Sequence, residues 1–275
     1  MREKNGFSYD GAVGRWWLKR SLDACHRRAY GNIADFIRDS FTREPAMIVD
    51  YACGPGHLLS LLSARFRNSK LVGLDGSSFL LELARRQFES LPPGYSERVR
   101  LINTPLPNLS VMRGQADLAI FCFPNMVPFP GENGPGDRRL WLNENERQVA
   151  KSLSRAADAC DGTDGPSDPA ANQYVLEQGR CISLNLRRLL TRNGICIRIE
   201  YATIQRHELS PLEQSHVSFE EGSLDCRVEG KACRQWFRLL ASAYFRSGVL
   251  KDVYEQTGDD RDRNGGYLIT VLRAI

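Results

Sequence analysis

The sequence predicts an α/β fold: a doubly wound, mostly parallel seven-stranded sheet with an antiparallel last strand, an N-terminal helical cap and inserted lid segments. From Ala46 to Phe123, short apolar runs alternate with stretches whose apolar residues recur every three or four positions, in the order strand, helix, strand, helix, strand, strand that builds a parallel sheet. A tight bend, Gly54-Pro55-Gly56, joins the first of these runs to the helix after it. Near the other end, the polar connection from Gln256 to Gly266 is too short for the crossover that parallel strands need, so the runs flanking it pair antiparallel.

The cap, residues 1–44, holds one helical region from about Ala12 to Phe41, with Trp16, Trp17, Leu18, Leu22, Tyr30, Ile33 and Phe36 on a broad face, and Pro45 closes it. Ala46 to Tyr51 is the nearly continuous apolar run of a buried parallel strand. From His57 a helix places Leu58, Leu61, Leu62 and Phe66 in phase, Asn68-Ser69 breaks it, and Lys70 to Asp75 reads as the second strand. Ser77 or Ser78 caps a helix carrying Leu80, Leu83, Ala84 and Phe88, which Pro92-Pro93-Gly94 ends. Val99 to Asn103 is the third strand and Asp117 to Phe123 the fourth.

Beyond Phe123 the pattern loosens. Phe123 to Gly136 is rich in Pro, Gly and Asn, Asp137 to Ala159 is helix-like, and Asp161 to Ala171 has a loop's composition, so 124–172 reads as an insertion within a single domain spanning 1–275. A helix from about Gln173 to Leu190 ends at Asn193-Gly194, a pair that supplies the left-handed residue of a helix end, and Ile195 to Tyr201 is the fifth strand. A second insertion, 202–231, has room for a short hairpin at His216–Phe219 and Leu224–Val228. Ala232 to Ser247 reads as a helix with Trp236, Leu239, Leu240 and Tyr244 in phase, and the last strands are Val249–Tyr254 and Tyr267–Leu272.

The hydrophobic share of 42% and charged share of 25% are those of an ordinary globular chain. No apolar run approaches the roughly 20 residues of a membrane-spanning helix. Met1 to Tyr9 is charged and polar and lacks the apolar middle of a secretory signal, so the expected location is cytoplasmic. The formal net charge of +4 is modest and the arginines are scattered, which argues against a nucleic-acid or membrane partner; the oligomeric state leaves no trace in the sequence. The eight cysteines, at 25, 53, 122, 160, 181, 196, 226 and 233, include no C-x-x-C pair and no cysteine-histidine cluster at zinc-ligand spacing, so no metal is expected. Cys122 and Cys196, inside apolar runs, are expected to act as small buried hydrophobes.

The chemistry concentrates in Ile48-Val49-Asp50-Tyr51-Ala52-Cys53-Gly54-Pro55-Gly56-His57. Small residues at 52, 54 and 56 let a ligand approach the backbone, and the following helix offers its N-terminal N–H groups to an anionic group such as a carboxylate. About 20 residues on, the interval between phosphate turn and ribose acid in nucleotide-binding α/β folds, Asp75 closes the second strand, where a carboxylate can accept both ribose hydroxyls. A dinucleotide site would need a glycine where Leu59 stands. The bend resembles motif I of class I S-adenosylmethionine-dependent methyltransferases, acidic-x-Gly-x-Gly-x-Gly, with Ala52 in place of the first glycine. Leu80-Leu81-Glu82-Leu83-Ala84-Arg85 resembles the helix that follows the ribose-binding acid in that family. The resemblance covers 46–123 well and 186–275 in outline.

That resemblance implies S-adenosylmethionine as cofactor, with Asp50, Ala52, Cys53, Gly54 and Gly56 around the bend and Asp75 with Gly76 at the ribose. Asn103 and Thr104 match the region where the family places an acid near the adenine amino group, and no acid stands there in this chain. Phe121 and Phe123 leave the fourth strand where aromatic faces can meet a sulfonium, and Trp17, Pro124 and Asn125 are assigned to the substrate pocket. The implied reaction is in-line displacement at the sulfonium methyl, to which positioning contributes most. A general base is required only if the acceptor must lose a proton, and the candidates are Tyr174, Tyr201, His207 and His216. A small-molecule acceptor enclosed by the insertions is the leading expectation. Two alternatives share the pocket: aminocarboxypropyl transfer or cyclisation to azetidine-2-carboxylate, both releasing methylthioadenosine, and a non-catalytic partner subunit that only binds the cofactor.

Overall fold

Ile48, Val49 and Tyr51 are 0% exposed, so the strand they form, β1 (Met47–Tyr51), needs cover on both faces and a neighbour on either side. β2 (Lys70–Asp75) and β4 (Ala116–Cys122) flank it, both parallel, and Val49 pairs with Val72 in the one and Ala119 in the other. β3 (Val99–Asn103) continues the parallel ladder beyond β2, and β5 (Leu190–Ala202) beyond β4. With β6 (Phe237–Arg246) and β7 (Gly266–Ala274) the seven-stranded sheet has the order β3-β2-β1-β4-β5-β7-β6. It is mostly parallel with its last strands antiparallel, as the sequence predicts. The computed structural model describes residues 10, 12–92, 94–104, 112–123, 183–202, 236–246 and 266–275. The chain divides into two compact units, one of Met1–Cys122, Arg188–Ile199 and Ala274, the other of Phe123–Arg187, Glu200–Arg273 and Ile275.

In the first unit α3 (His57–Arg65) and α4 (Ser78–Glu89) carry the chain from β1 to β2 and from β2 to β3, burying Leu58, Leu59 and Leu62 from one and Leu80, Leu81, Ala84 and Phe88 from the other. Gly73 makes this packing possible. A Cβ there would lie 2.7 Å from Cys53 Sγ, 2.8 Å from Leu101 Cδ2 and 3.0 Å from Leu59 Cδ2, so the bend and α3 can lie on β2 only because position 73 has no side chain. Two N-terminal helices, α1 (Ala12–Ser21) and α2 (Ala24–Asp39), complete the unit. The ring of Tyr30 stands 6.0 Å from that of His57 at the start of α3, and Arg65 Nε reaches Asp35 at 2.7 Å near its end, so α2 and α3 run side by side in the same direction. Behind α3, Arg98 donates to the carbonyl oxygens of Ser63, Phe66, Ser69 and Gly94, satisfying the helix end with one guanidinium.

Three expectations are corrected. The single helix over 12–41 is two helices, because the Asp23 carboxylate accepts the His26 N–H at 2.7 Å and so starts α2 anew. Asn193-Gly194 does not end a helix: the helical residues stop at 189, β5 already begins at Leu190, and Asn193 takes its positive φ of 67° inside the strand. There Ala116 pairs with Leu190 but Leu118 with Ile195, so five steps on β5 answer two on β4 and the pair forms a bulge. The run placed in a helix from Ala232 to Ser247 is strand β6 over Phe237–Arg246. Phe237, Leu239, Ala241, Ala243 and Phe245 recur at every second position, a period the three- and four-residue spacing of the same segment conceals. The expected strand Val249–Tyr254, the helix-like 137–159, the start of the helix at Gln173 and the hairpin at 216–228 lie outside the described residues.

In the second unit, Tyr267 on β7 is 0% exposed, stacks on Phe245 of β6 at 5.2 Å and meets Phe123 edge-on at 5.6 Å. Leu268, Ile269 and Leu272 are buried as well, which gives β7 the two covered faces of an interior strand.

Gly73→Ala is expected to lower unfolding free energy by about 1–3 kcal/mol, the scale for overpacking a tight core. Denaturant titration checks it, and an unchanged midpoint would mean that Cys53, Leu101 and Leu59 yield without cost.

Candidate functional site

The register of the sheet brings one set of side chains to the carboxyl edge of the strands. Asp50 pairs with Gly73 and Ile120, and Asp75 with Asn103, so Asp50, Asp75 and Asn103 stand on one face, with Cys122 two residues beyond Ile120 on that same face. After Tyr51 the chain turns on left-handed residues: Ala52 has φ 67°, Gly54 53° and Gly56 79°. For Ala52 that conformation carries a cost of about 1 kcal/mol, which a glycine would avoid. The turn is pinned where the strain sits, since the N–H groups of Ala52 and Cys53 both donate to the Leu74 carbonyl, at 2.8 and 3.0 Å. Gly56 then opens α3 with no side chain to cap it, leaving the positive end of the helix dipole to whatever lies in the bend.

Asp75 joins the two halves of this edge. Its Oδ2 accepts the Gly54 N–H at 2.8 Å and its Oδ1 the Ser77 N–H at 2.8 Å, so one carboxylate fastens the glycine bend to the start of α4. The backbone of Gly76 adds a further bond, and Thr104, 8% exposed, donates its N–H to the Asp75 carbonyl at 2.9 Å. Burial raises the proton affinity of Asp75 and its three backbone bonds oppose that rise, with Asp10 adding a smaller upward push. Asp50, 2% exposed, is pushed up to about 8 by burial first and by Asp75 second, so it carries its proton at neutral pH. Burial together with these carboxylates drives the Cys53 and Cys122 thiols upward too, and neither is a thiolate nucleophile. His57 is pulled below its usual range, mainly by burial, and stays neutral.

The structure thus groups Asp50, Ala52, Cys53, Gly54, Gly56, Asp75, Gly76 and Asn103 at one edge with Thr104 beside them. It sets Phe121 apart: the ring is 1% exposed, packs edge-on against Tyr51 at 5.4 Å, and lies in register with Arg198 on the opposite face from Asp50. Phe123 belongs to the second unit, where it packs on Tyr267. The Trp17 and Tyr201 side chains and all of Pro124, Asn125, Tyr174, His207 and His216 lie outside the described residues. Among the described residues no three His, Cys, Asp or Glu side chains are grouped to hold a metal ion. No described helix is long and apolar enough to cross a membrane. Sequence reasoning missed Gly73 and Asp10. A glycine inside an apolar strand signals close backbone approach and could have revealed the first, whereas an aspartate ahead of a helix offers no comparable signal for the second.

Residues 48–133 match the family model described as a methyltransferase domain. Among curated proteins the chain resembles trans-aconitate 2-methyltransferase of Methylobacterium nodulans, 37% identical over 76 residues, 28% of this chain and 30% of that one. The same-named protein of an Acidovorax species is 44% identical over 48 residues, 18% and 19% of the two chains. The matches therefore span less than a third of the length of these relatives. Among solved structures, geranyl diphosphate C-methyltransferase from Streptomyces coelicolor superposes with a TM-score of 0.51 at 12% identity, over 92% of this chain and 87% of that one. The [4+2]-cyclase SpnF does so with a TM-score of 0.50 at 13% identity, over 88% and 80%. At such identities the likeness is one of fold. Residues 48–133 thus carry the similarity to a methyltransferase domain, and the fold they sit in is the class I, Rossmann-like one.

Proposed function

We propose that the protein is a cytoplasmic enzyme that transfers the methyl group of S-adenosylmethionine to a small-molecule acceptor. The observation that carries the reading is the Asp75 carboxylate, bonded at once to Gly54 in the bend and to Ser77 at the start of α4. A carboxylate has about four lone-pair positions, and three backbone N–H groups leave capacity for a ribose hydroxyl. The left-handed bend and the uncapped start of α3 suit the amino-acid end of the same molecule, whose carboxylate the helix dipole favours. Asn103, at the exposed end of β3, offers an amide in place of the family's acid toward the base. S-adenosylmethionine, when bound, supplies an electrophilic methyl on a sulfonium. The residues at this edge bind and orient; with Asp50 protonated, Cys53 and Cys122 as thiols and His57 neutral, none is poised to attack.

A small acceptor is supported by the names of the curated relatives, which are methyltransferases of trans-aconitate. Cys53 and Cys122 are held as thiols, which accords with a reducing compartment. Incubation with S-adenosylmethionine and a metabolite extract, followed by mass spectrometry, tests the reaction: S-adenosylhomocysteine with a methylated metabolite is the expected pair. Methylthioadenosine in its place would mean that another bond of the cofactor is cut.

Asp75→Ala should weaken S-adenosylhomocysteine binding by about 1.5–3 kcal/mol, the scale of hydrogen bonds to a charged group, in titration calorimetry. Unchanged affinity would place the ribose elsewhere. A second expectation concerns pH. Asp50 holds its proton more tightly folded, at about 8, than unfolded, near 3.8, so its contribution to stability is complete below the unfolded value and is lost as the pH rises toward 8. Asp50→Asn has no such loss, and its thermal midpoint should fall less than that of the wild type between about pH 5 and 8. Parallel curves for the two proteins would show Asp50 to be ionised in the fold.

A further inference from the structure

Just ahead of α1, one side chain reaches the start of α4 beside Asp75. Asp10 Oδ1 accepts from Ser77 Oγ at 2.9 Å, from Ser78 Oγ at 3.3 Å and from the Phe79 N–H at 3.0 Å, partners 67 to 69 positions away in sequence. The direction of the first bond is fixed. Ser77 Oγ accepts the Leu80 N–H at 3.1 Å as the cap of α4, so its single proton goes to Asp10. Inward from Ser77 the bonds continue, Ser77 N–H to Asp75 Oδ1 and Gly54 N–H to Asp75 Oδ2, both at 2.8 Å. One unbroken path of hydrogen bonds therefore runs from Asp10 through Ser77 and Asp75 to the glycine bend.

We propose that Asp10 is a positioning residue for the cofactor: it docks the start of α1 on the β2–α4 turn and holds that turn in the shape in which Asp75 receives a ribose, so that docking and cofactor binding strengthen each other. This rests on the S-adenosylmethionine reading of the site. Asp75 is 7% exposed and Ser77 2%, whereas Asp10 is exposed, so the path has a solvated outer end that opens at less cost than its inner one. The shared turn gives the coupling its sign: Asp10 grips Ser77, Ser78 and Phe79 while Asp75 holds the Ser77 N–H, so a ligand bonded to Asp75 fixes the turn in the shape that Asp10 receives and favours docking. By linkage, docking favours the ligand to the same degree.

The three bonds to Asp10 need an acceptor oxygen and not a charge, which an asparagine also provides and an alanine does not. The experiment is calorimetry of the full chain with S-adenosylhomocysteine, combined with hydrogen exchange of the α1 amides. Asp10→Ala is expected to bind about tenfold more weakly, and Asp10→Asn within about threefold of the wild type. The ligand should slow α1 exchange in the wild type and in Asp10→Asn but not in Asp10→Ala. A merely structural role would lower the thermal midpoint of Asp10→Ala without this ligand-dependent exchange. If the wild type binds while Asp10→Ala matches its affinity, or binds with α1 exchange unaltered, the inference alone is overturned. A wild type that does not bind overturns the cofactor reading and this inference with it.

Discussion

A carboxylate at the end of β2 with only 7% of its residue exposed is a liability unless donors surround it, and the site is built around meeting that demand at Asp75. The donors come from the backbone on both sides: Gly54 from the bend after β1, Gly76 and Ser77 from the turn after β2. Satisfying one buried charge therefore sets the distance between two loops that the sheet alone leaves free. Register contributes the rest, because β1 and β2 pair Tyr51 with Leu74 and so bring both loops to the same level of the sheet. The Leu74 carbonyl, taking two N–H groups from Ala52 and Cys53, closes the arrangement from the other side.

The bend is strained where it is best supported. Ala52 holds a left-handed conformation at a position where the resembled family has glycine, and its own N–H bond to Leu74 at 2.8 Å is among those that over-determine it. Cys53 next to it fits only because Gly73 has no Cβ. Strand, bend and neighbouring strand thus constrain one another at the scale of single atoms, and Gly56 extends the constraint to α4, where a Cβ would meet that of Ala84 at 3.1 Å.

How much of this was legible follows from the range of the interactions. The bounds of β2 and β3 could be read directly, since they rest on apolar runs, and the cap of α4 could be narrowed to Ser77 or Ser78, of which the structure uses Ser77. Asp50, Gly54 and Asp75 could be read because their spacing is a local property of strand, turn and helix. The break at Asp23 was missed because a capping aspartate within a continuous amphipathic pattern looks like one more polar position. In β6 two periods coexist in one segment, and pairing within the sheet decided between them. The bulge at Asn193-Gly194 uses the same left-handed residue that ends helices, so residue type could not tell the two apart. Asp10 acts on Ser77 across 67 positions, and no local pattern records such a contact.

The electrostatics of this edge also say what kind of work it does. Two carboxylates buried at one sheet edge cannot both ionise cheaply, and burial assigns the proton to Asp50, leaving Asp75 as the acceptor bonded by the backbone. Around them the ionisable groups are held neutral: Cys53 and Cys122 as thiols, His57 as imidazole. Such a surface can recognise hydroxyls and orient a ligand, but it offers neither a strong base nor a nucleophile at neutral pH. Under the proposed reading that division is the useful one. An electrophilic methyl next to a thiolate would alkylate the protein, whereas beside neutral thiols it would survive until an acceptor arrives, so the burial that keeps Cys53 and Cys122 protonated would also guard them against alkylation.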